Sequence, residues 1–190
     1  RPQPLDSRLQ THKALATLLA GLDDAGLARL LAGAPPTPAS IGGRSMRLRL
    51  GEREIFVKLI PLSKLELEHP GSSANLFKLP TYFQYGIGSV GFGAWRELAA
   101  QQMASDWVQS GACLGFPLLH HSRLLSAAAA GASEAAVPDW GAGYFTEAEL
   151  ASLPGRTAVL ARFAAVQRPA AYLAVFLECL VEPVSIWLRR

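Results

Sequence analysis

An alternation of apolar and charged residues constrains the fold of this chain more than any other feature. Over residues 46–50 leucines and a methionine alternate with arginines, Gly51 and Glu52 then offer a turn, and a second strand is expected over 54–60. A period of two on either side of a turn is typical of a β-hairpin. The arginines are expected on the solvated face of the first strand. No aromatic side chains interleave with them, so the sequence does not favour nucleic-acid binding.

Helical periodicity precedes the hairpin. Leucines recur at spacings of three and four between positions 15 and 31, which predicts two short helices that break near 21–24. Asp23 or Asp24 is expected to cap the second helix, and the proline-rich segment after Ala34 is expected to end it. Residues 1–38 are therefore predicted to be a helical extension followed by a linker.

The rest of the chain, 39–190, predicts an α+β domain. Strands are expected near Ser40, over 120–125 and over 172–177, and helices are expected at Thr146, over 156–167 and over 184–188. Irregular insertions span 69–93 and 127–168, and the Ala- and Gly-rich part of the second, 127–143, is expected to be a mobile loop. The clearest helix covers 94–109, with an inner stripe of Trp95, Leu98, Ala99, Met103 and Trp107.

Composition excludes several classes of protein. The 190 residues are 50% hydrophobic and 17% charged, with a formal net charge of +3, which favours one globular core. No apolar run reaches the roughly 20 residues of a membrane-spanning helix, so no membrane partner is expected. Cys113 and Cys179 lack a metal-ligand spacing, and no secretory signal is seen, which favours the cytoplasm. The start at Arg1 rather than Met suggests a processed or excised piece.

Two conspicuous motifs are interpreted as structural. Gly86, Gly88 and Gly91 form a literal G-x-G-x-x-G, but a proline interrupts the segment before it and no lysine follows Lys78. These glycines are expected to shape the insertion. His120 and His121 are adjacent on a predicted strand, where side chains alternate between faces, so one is expected to be buried and the other exposed.

Lys58 is the residue that most strongly indicates a function. It stands within the apolar strand 55–60, where a lysine is costly unless a carboxylate or an anionic ligand meets it. Glu97, in the first turn of the predicted helix 94–109, is the expected partner. A strand lysine oriented by a helix glutamate is the ion pair that protein kinases use to hold nucleotide phosphates.

In the order of these parts the chain resembles the small lobe of protein-kinase-like and aminoglycoside-phosphotransferase-like enzymes. The segment 55–58 resembles the lysine strand, 95–99 the αC helix, 116–119 the connection into the fourth strand, and 174–180 the fifth strand and hinge. More narrowly, 56–107 resembles kinase-like proteins of actinobacteria. The resemblance implies an antiparallel sheet of about five strands with an αC-type helix.

The resemblance also implies a set of ATP-binding residues. Lys58 would contact the phosphates and Glu97 would orient it, while Gly42, Gly43 and Ser45 would replace the phosphate-covering loop. The Glu178 carbonyl and the Leu180 amide would hold adenine, beside Leu177 at the gatekeeper position. The alternative for the two glycines is a tight turn.

The chain departs from a complete phosphotransferase. Catalysis needs one aspartate to position the acceptor hydroxyl and another to hold Mg²⁺, but the last aspartate here is Asp139, before the hinge. A C-terminal lobe, in cis or supplied by another polypeptide, would have to provide both. An isolated small lobe is expected to expose Val57, Leu177 and Leu180 on the floor of its cleft.

A non-catalytic role is the alternative. The same fold would then serve as a pseudokinase-like scaffold, and the insertion 69–93 would dock a protein partner through its aromatic side chains. These aromatics, expected to be exposed, are Phe77, Tyr82, Phe83 and Tyr85.

Overall fold

A computed structural model describes residues 3–35, 43–86, 91, 93–131 and 146–179. The fold is α+β, as predicted. Its elements in chain order are α1 (Leu5–Ala20), α2 (Asp24–Ala32), β1 (Arg44–Leu50), β2 (Arg53–Leu62), α3 (Lys64–Leu67), α4 (Thr81–Gln84), α5 (Ala94–Gln109), β3 (Leu119–Leu125), α6 (Glu147–Ser152), α7 (Arg156–Gln167) and β4 (Ala171–Glu178).

The predicted hairpin is confirmed as β1 and β2, which pair antiparallel from Arg44 opposite Leu59 to Leu50 opposite Arg53. Gly51 begins the two-residue turn with a φ of 60°, a left-handed conformation that suits glycine in such a hairpin. Across the described residues the sheet has four strands in the order β1-β2-β4-β3, all antiparallel. The expectation was about five strands, and the one expected near Ser40 lies outside the described residues.

Helices α1 and α2 cover one face of this sheet. The side chain of Asp23 accepts a hydrogen bond of 2.7 Å from the Gly26 amide, so Asp23 is the N-cap of α2. The leucines of both helices share one buried cluster with alternate residues of the sheet. Its helical members are Leu15, Leu19, Leu27 and Leu31, and its strand members are Met46, Leu48, Ile55, Val57, Leu59, Leu125, Tyr172, Ala174 and Phe176.

Helix α5 packs on the opposite face of the sheet, but its inner stripe differs from the prediction. The buried residues are Ala94, Ala104, Ser105 and Val108. Met103 and Trp107 are exposed at 50% and 40%, and Ala99 is exposed as well. Small residues let the helix lie close to the strands, which leaves the large side chains on its outer side. The prediction was correct for Trp95 and Leu98, which pack half-buried against the sheet.

The insertion after β2 is ordered by short helices and a second small core. Helix α3 begins with a capping box in which Ser63 and Glu66 bond each other's backbone amides. Helix α7 then packs against α4, and the buried members of this cluster are Leu79, Phe83, Val159, Phe163 and Val166. The capping interaction expected at Thr146 is present, with Glu149 as its partner.

The prediction for the adjacent histidines was half right. His120 is 5% exposed, as expected for one of the two. The register shifts between Leu119 and His121, and the His121 ring lies 5.8 Å from the Phe176 ring, half-buried rather than exposed. A β-bulge breaks the strict alternation of faces, which the prediction assumed.

Part of the Ala- and Gly-rich stretch is described, over 127–131. Ala130 is fully buried in the main core, and the Arg44 guanidinium donates hydrogen bonds to the carbonyls of Ala130 and Gly131. The rest of the stretch, and the helix expected over 184–188, lie outside the described residues.

Candidate functional site

Lys58 and Glu97 form the ion pair that the sequence predicted. The Lys58 Nζ lies 2.7 Å from Glu97 Oε1 and 2.9 Å from Oε2. Both side chains are largely shielded, with exposed fractions of 13% and 14%. The pair joins the interior strand β2 to the first turn of α5. Charge-assisted hydrogen bonds at these distances are strong, and partial burial protects them from screening by salt.

The register of the sheet identifies the neighbours of Lys58. Ser45 on β1 and Val175 on β4 lie directly opposite it, so their side chains share its face. Phe56, two residues earlier on β2, lies on the same face opposite Leu177. The candidate site is therefore a strip with a cation at one end and an aromatic and an aliphatic side chain beside it. Phe56 carries no signal of its own in the sequence, because its place beside Lys58 follows from the register.

The hydrogen-bonding capacity of Lys58 defines what the site can do. An ammonium carries three donors. Among the described residues the ammonium donates to the two oxygens of Glu97, which leaves one N–H for a ligand oxygen. A lysine held in this way can anchor an anionic oxygen such as that of a phosphate, while its charge remains balanced when no ligand is bound.

Gly43 has a packing role. A Cβ built on it would lie 2.5 Å from the Leu59 carbonyl oxygen on the neighbouring strand, too close for any other residue. Ser45 is buried, with an exposed fraction of 4%. Gly42 lies outside the described residues. The structure thus brings Ser45 beside Lys58. Close packing against Leu59 explains the glycine at position 43 without any contact to phosphate.

Glu178 ends β4, and its side chain has a role that the sequence did not reveal. Arg8 of α1 donates to both of its carboxylate oxygens, and the Leu118 amide donates to one of them at 3.1 Å. Burial alone would raise the pKa of this carboxyl, but the bonds from Arg8 and Leu118 outweigh it and hold the pKa below its ordinary value. Leu180, the other expected adenine contact, lies outside the described residues.

Val57 and Leu177 were expected to be exposed on the floor of a cleft, and this prediction was wrong for both. Val57 is fully buried because it points to the opposite face from Lys58, into the core under α1 and α2. Leu177 is 5% exposed. The half-buried residues on the Lys58 face of β2 are Phe56 and Lys58 themselves.

Gly91, one of the two described glycines of the motif, shapes the insertion. A Cβ on Gly91 would collide with the Phe83 carbonyl oxygen. Gly86 precedes a gap in the description, and Gly88 falls within it. The aromatic side chains of the insertion divide into two groups. Tyr82 and Tyr85 are exposed at 51% and 67%, as expected. Phe83 is buried and Phe77 is half-buried, which contradicts the expectation for these two residues.

Metal-ligating and membrane-spanning features are absent from the part of the chain that the structure describes. No group of three or more histidine, cysteine, aspartate or glutamate side chains is arranged to hold a metal ion there. None of the helices described is long and apolar enough to cross a bilayer. Neither Cys113 nor Cys179 forms a disulfide within the described residues.

Comparison with known proteins identifies no family. No family model matches the chain, and neither the curated proteins nor the solved structures give a significant match. The inference of a function therefore rests on the geometry of the site.

Proposed function

We propose that this chain is the ATP-binding small lobe of a protein-kinase-like phosphotransferase that acts in the cytoplasm. In this proposal Lys58 binds phosphate oxygens, Glu97 orients Lys58, and adenine lies toward the end of β4 at Glu178. Leu180, Gly42, Gly43 and Ser45 complete the proposed nucleotide contacts. Mg²⁺ and the catalytic aspartates belong to a C-terminal lobe, in cis or in trans, since this chain has no aspartate after Asp139.

The Lys58–Glu97 pair is the observation that carries the proposal. The two residues are 39 positions apart, yet the ammonium meets both carboxylate oxygens within 2.9 Å. The desolvation of two charges is costly, and a structural pair is often replaceable by apolar side chains. A strand lysine paired with a helix glutamate fits the binding of nucleotide phosphates. The aromatic side chain beside the pair offers an apolar face for the base.

The proposal predicts that Lys58→Met weakens ATP binding at least 10-fold, because a charge-assisted contact to phosphate contributes about 1.5–3 kcal/mol. Glu97→Gln is expected to weaken it less, since the lysine remains but is less well oriented. Isothermal titration calorimetry with MgATP measures both. A matched control is Lys64→Met, because Lys64 is 87% exposed and pairs only loosely with Glu68 at 4.0 Å.

Equal dissociation constants for the wild type and Lys58→Met would contradict the proposal, as would a wild-type chain that is neither bound nor thermally stabilised by millimolar MgATP.

The exposed tyrosines favour a second function, that of a non-catalytic scaffold. Tyr82 and Tyr85 present apolar rings to solvent, while Phe83 between them anchors the segment in the core around α7. Aromatic side chains held in this way are typical of protein interfaces. A chain that binds no ATP but retains a protein partner, and loses it on Tyr82→Ala with Tyr85→Ala, would have this function instead.

A further inference from the structure

Arg8 joins three separate segments at the end of β4. Its Nε and Nη2 donate to the two carboxylate oxygens of Glu178 at 2.9 and 2.7 Å. Its Nη1 donates to the Leu114 carbonyl at 2.8 Å, and Nη2 also donates to the Phe116 carbonyl at 2.7 Å. Four of the five guanidinium hydrogens are used in this way. Helix α1, the loop after α5 and the last residue of β4 are thus held by one side chain.

This cluster is unlike an ordinary surface ion pair. The Arg8 side chain is 10% exposed and that of Glu178 is 19% exposed. The bidentate geometry fixes both planes, and exposed pairs of a single contact contribute little by comparison. The Leu118 amide adds a third donor to the carboxylate, and the Glu178 amide donates to the Leu118 carbonyl at 2.8 Å. The backbone at Glu178 is consequently restrained by the hydrogen bonds of its side chain and by that of its own amide.

The restrained residue borders the candidate site. Glu178 directly follows Leu177, which lies opposite Phe56 on the face that carries Lys58. A ligand that reaches from the Lys58 ammonium along Phe56 arrives at the end of β4. The position of that strand end therefore decides whether both ends of such a ligand find their contacts at once.

We propose that Arg8 is a positioning residue through which α1 sets the nucleotide affinity of the Lys58 site. Docking of α1 holds the end of β4 in the arrangement that binds ATP, and release of α1 lets the backbone at Glu178 move and weakens binding. The inference rests on the proposed function, because it concerns the same site. It implies reciprocal coupling: ATP must favour the docked state of α1 by the same factor by which docking favours ATP.

The test measures MgATP dissociation constants by calorimetry for the 190-residue chain. Arg8→Leu is expected to weaken ATP binding roughly 10-fold, within the usual range of coupling between sites. Arg8→Lys is expected to restore part of the affinity, because it keeps the charge but loses the bidentate bond. Glu178→Gln is expected to act in the same direction as Arg8→Leu, and it serves if Arg8→Leu fails to fold.

Arg123→Leu is the matched control. Arg123 on β3 also ties a helix to the sheet, through Asp24 at 3.0 Å and the Leu22 carbonyl at 3.2 Å. This contact lies away from Glu178, so the dissociation constant is expected to change by less than about 2-fold, the scale of a surface substitution.

Hydrogen exchange distinguishes a positioning role of Arg8 from a purely structural one, because only a positioning role makes the exchange rate of α1 depend on MgATP. Saturating MgATP is expected to slow amide exchange in α1 of the wild type, and Arg8→Leu is expected to abolish this effect. A wild type whose ATP binding depends on Lys58 while Arg8→Leu and Glu178→Gln bind equally well would overturn the inference and leave the proposed function intact. Absence of ATP binding in the wild type would overturn both. In that case faster exchange at 175–179 in Arg8→Leu would still report the restraint on β4.

Discussion

Buried and half-buried polar residues in this chain are stabilised by partners that lie far away in the sequence. Lys58 bonds Glu97, Arg8 bonds Glu178, and the Nδ1 atoms of His12 and His120 lie 3.1 Å apart. At such a distance one imidazole must donate to the other, so at least one nitrogen of the facing pair is unprotonated. Burial and the charge of His12 lower the pKa of His120 to about 4, although the carboxylate of Glu178 acts more weakly to raise it.

At the residue scale this predicts a pH-dependent stability. The pKa of His120 is lower in the folded than in the unfolded chain, where it is ordinary, so the neutral form favours folding. Its contribution is complete above about pH 6.5 and is lost as the pH falls toward 4. Between pH 7 and pH 5 the wild type is expected to lose about 1–2 kcal/mol through this residue. Urea unfolding at several pH values measures it.

Removal of the imidazole should flatten this pH dependence. His120→Asn is expected to reduce the loss between pH 7 and pH 5, whereas His69→Asn, at an exposed position, should leave it unchanged. Glu178, whose charge acts on both histidines, is retained in both variants. An identical slope in the wild type and His120→Asn would contradict the prediction.

At the scale of elements, Glu66 connects the short helix α3 to two longer helices. Its carboxylate accepts from the Ser63 amide and hydroxyl and from Arg162 of α7 at 2.7 Å, and its carbonyl accepts from the Trp95 indole of α5. Arg162 also stacks over the Phe77 ring at 5.0 Å. Through its carboxylate and its backbone carbonyl, Glu66 therefore holds α3 and α7 beside the helix that carries Glu97.

Arg162→Met is expected to destabilise the fold by about 3 kcal/mol, because it removes the ion-pair partner of Glu66 and leaves the carboxylate buried. Both side chains are at most 7% exposed. Chemical denaturation gives the free energy of unfolding. Arg156→Met is the control on the same helix, at an exposed position, and should change it by less than about 0.5 kcal/mol. Equal effects of the two substitutions would show that the buried pair is not important for stability.

At the scale of the whole molecule, the sheet is covered on both faces by helices from different parts of the chain. Helix α5 covers the Lys58 face, and α1 and α2 cover the other. The N-terminal helices were expected to be an extension of the domain, but they supply leucines to its main core. The hydrophobic effect gives them this place, since alternate residues of β2 and β4 would otherwise face water.

Leu19→Ala is therefore expected to cost about 3 kcal/mol, the usual loss for a buried leucine that leaves a cavity. Leu19 has no exposed surface, while the adjacent Leu18 is 47% exposed. Leu18→Ala is thus the matched control, with an expected change below about 0.5 kcal/mol. Thermal and urea unfolding measure both. A small effect of Leu19→Ala would mean that α1 is only loosely attached to the sheet.

The local elements were largely predictable because each depends on residues close in sequence. Periodicity located the hairpin, α5 and α7, and capping chemistry located the starts of α2 and α6. The buried face of α5 was not predictable in the same way. Hydrophobicity alone favoured Trp107 and Met103 for the inside, whereas close approach to the sheet required Ala104, Ser105 and Val108 there.

Local residue patterns were sufficient to predict the hairpin, the helix that follows the insertion, and the need of Lys58 for a carboxylate partner in an apolar strand. Long-range packing set the register that places Phe56 and Ser45 beside Lys58, the bulge at His120, and the ion pair of Glu178 with Arg8, 170 residues earlier in the chain. The physical reason is that propensity and periodicity act over a few residues. Register and long-range ion pairs depend instead on how helices and strands, each amphipathic in its own right, bury one another's faces.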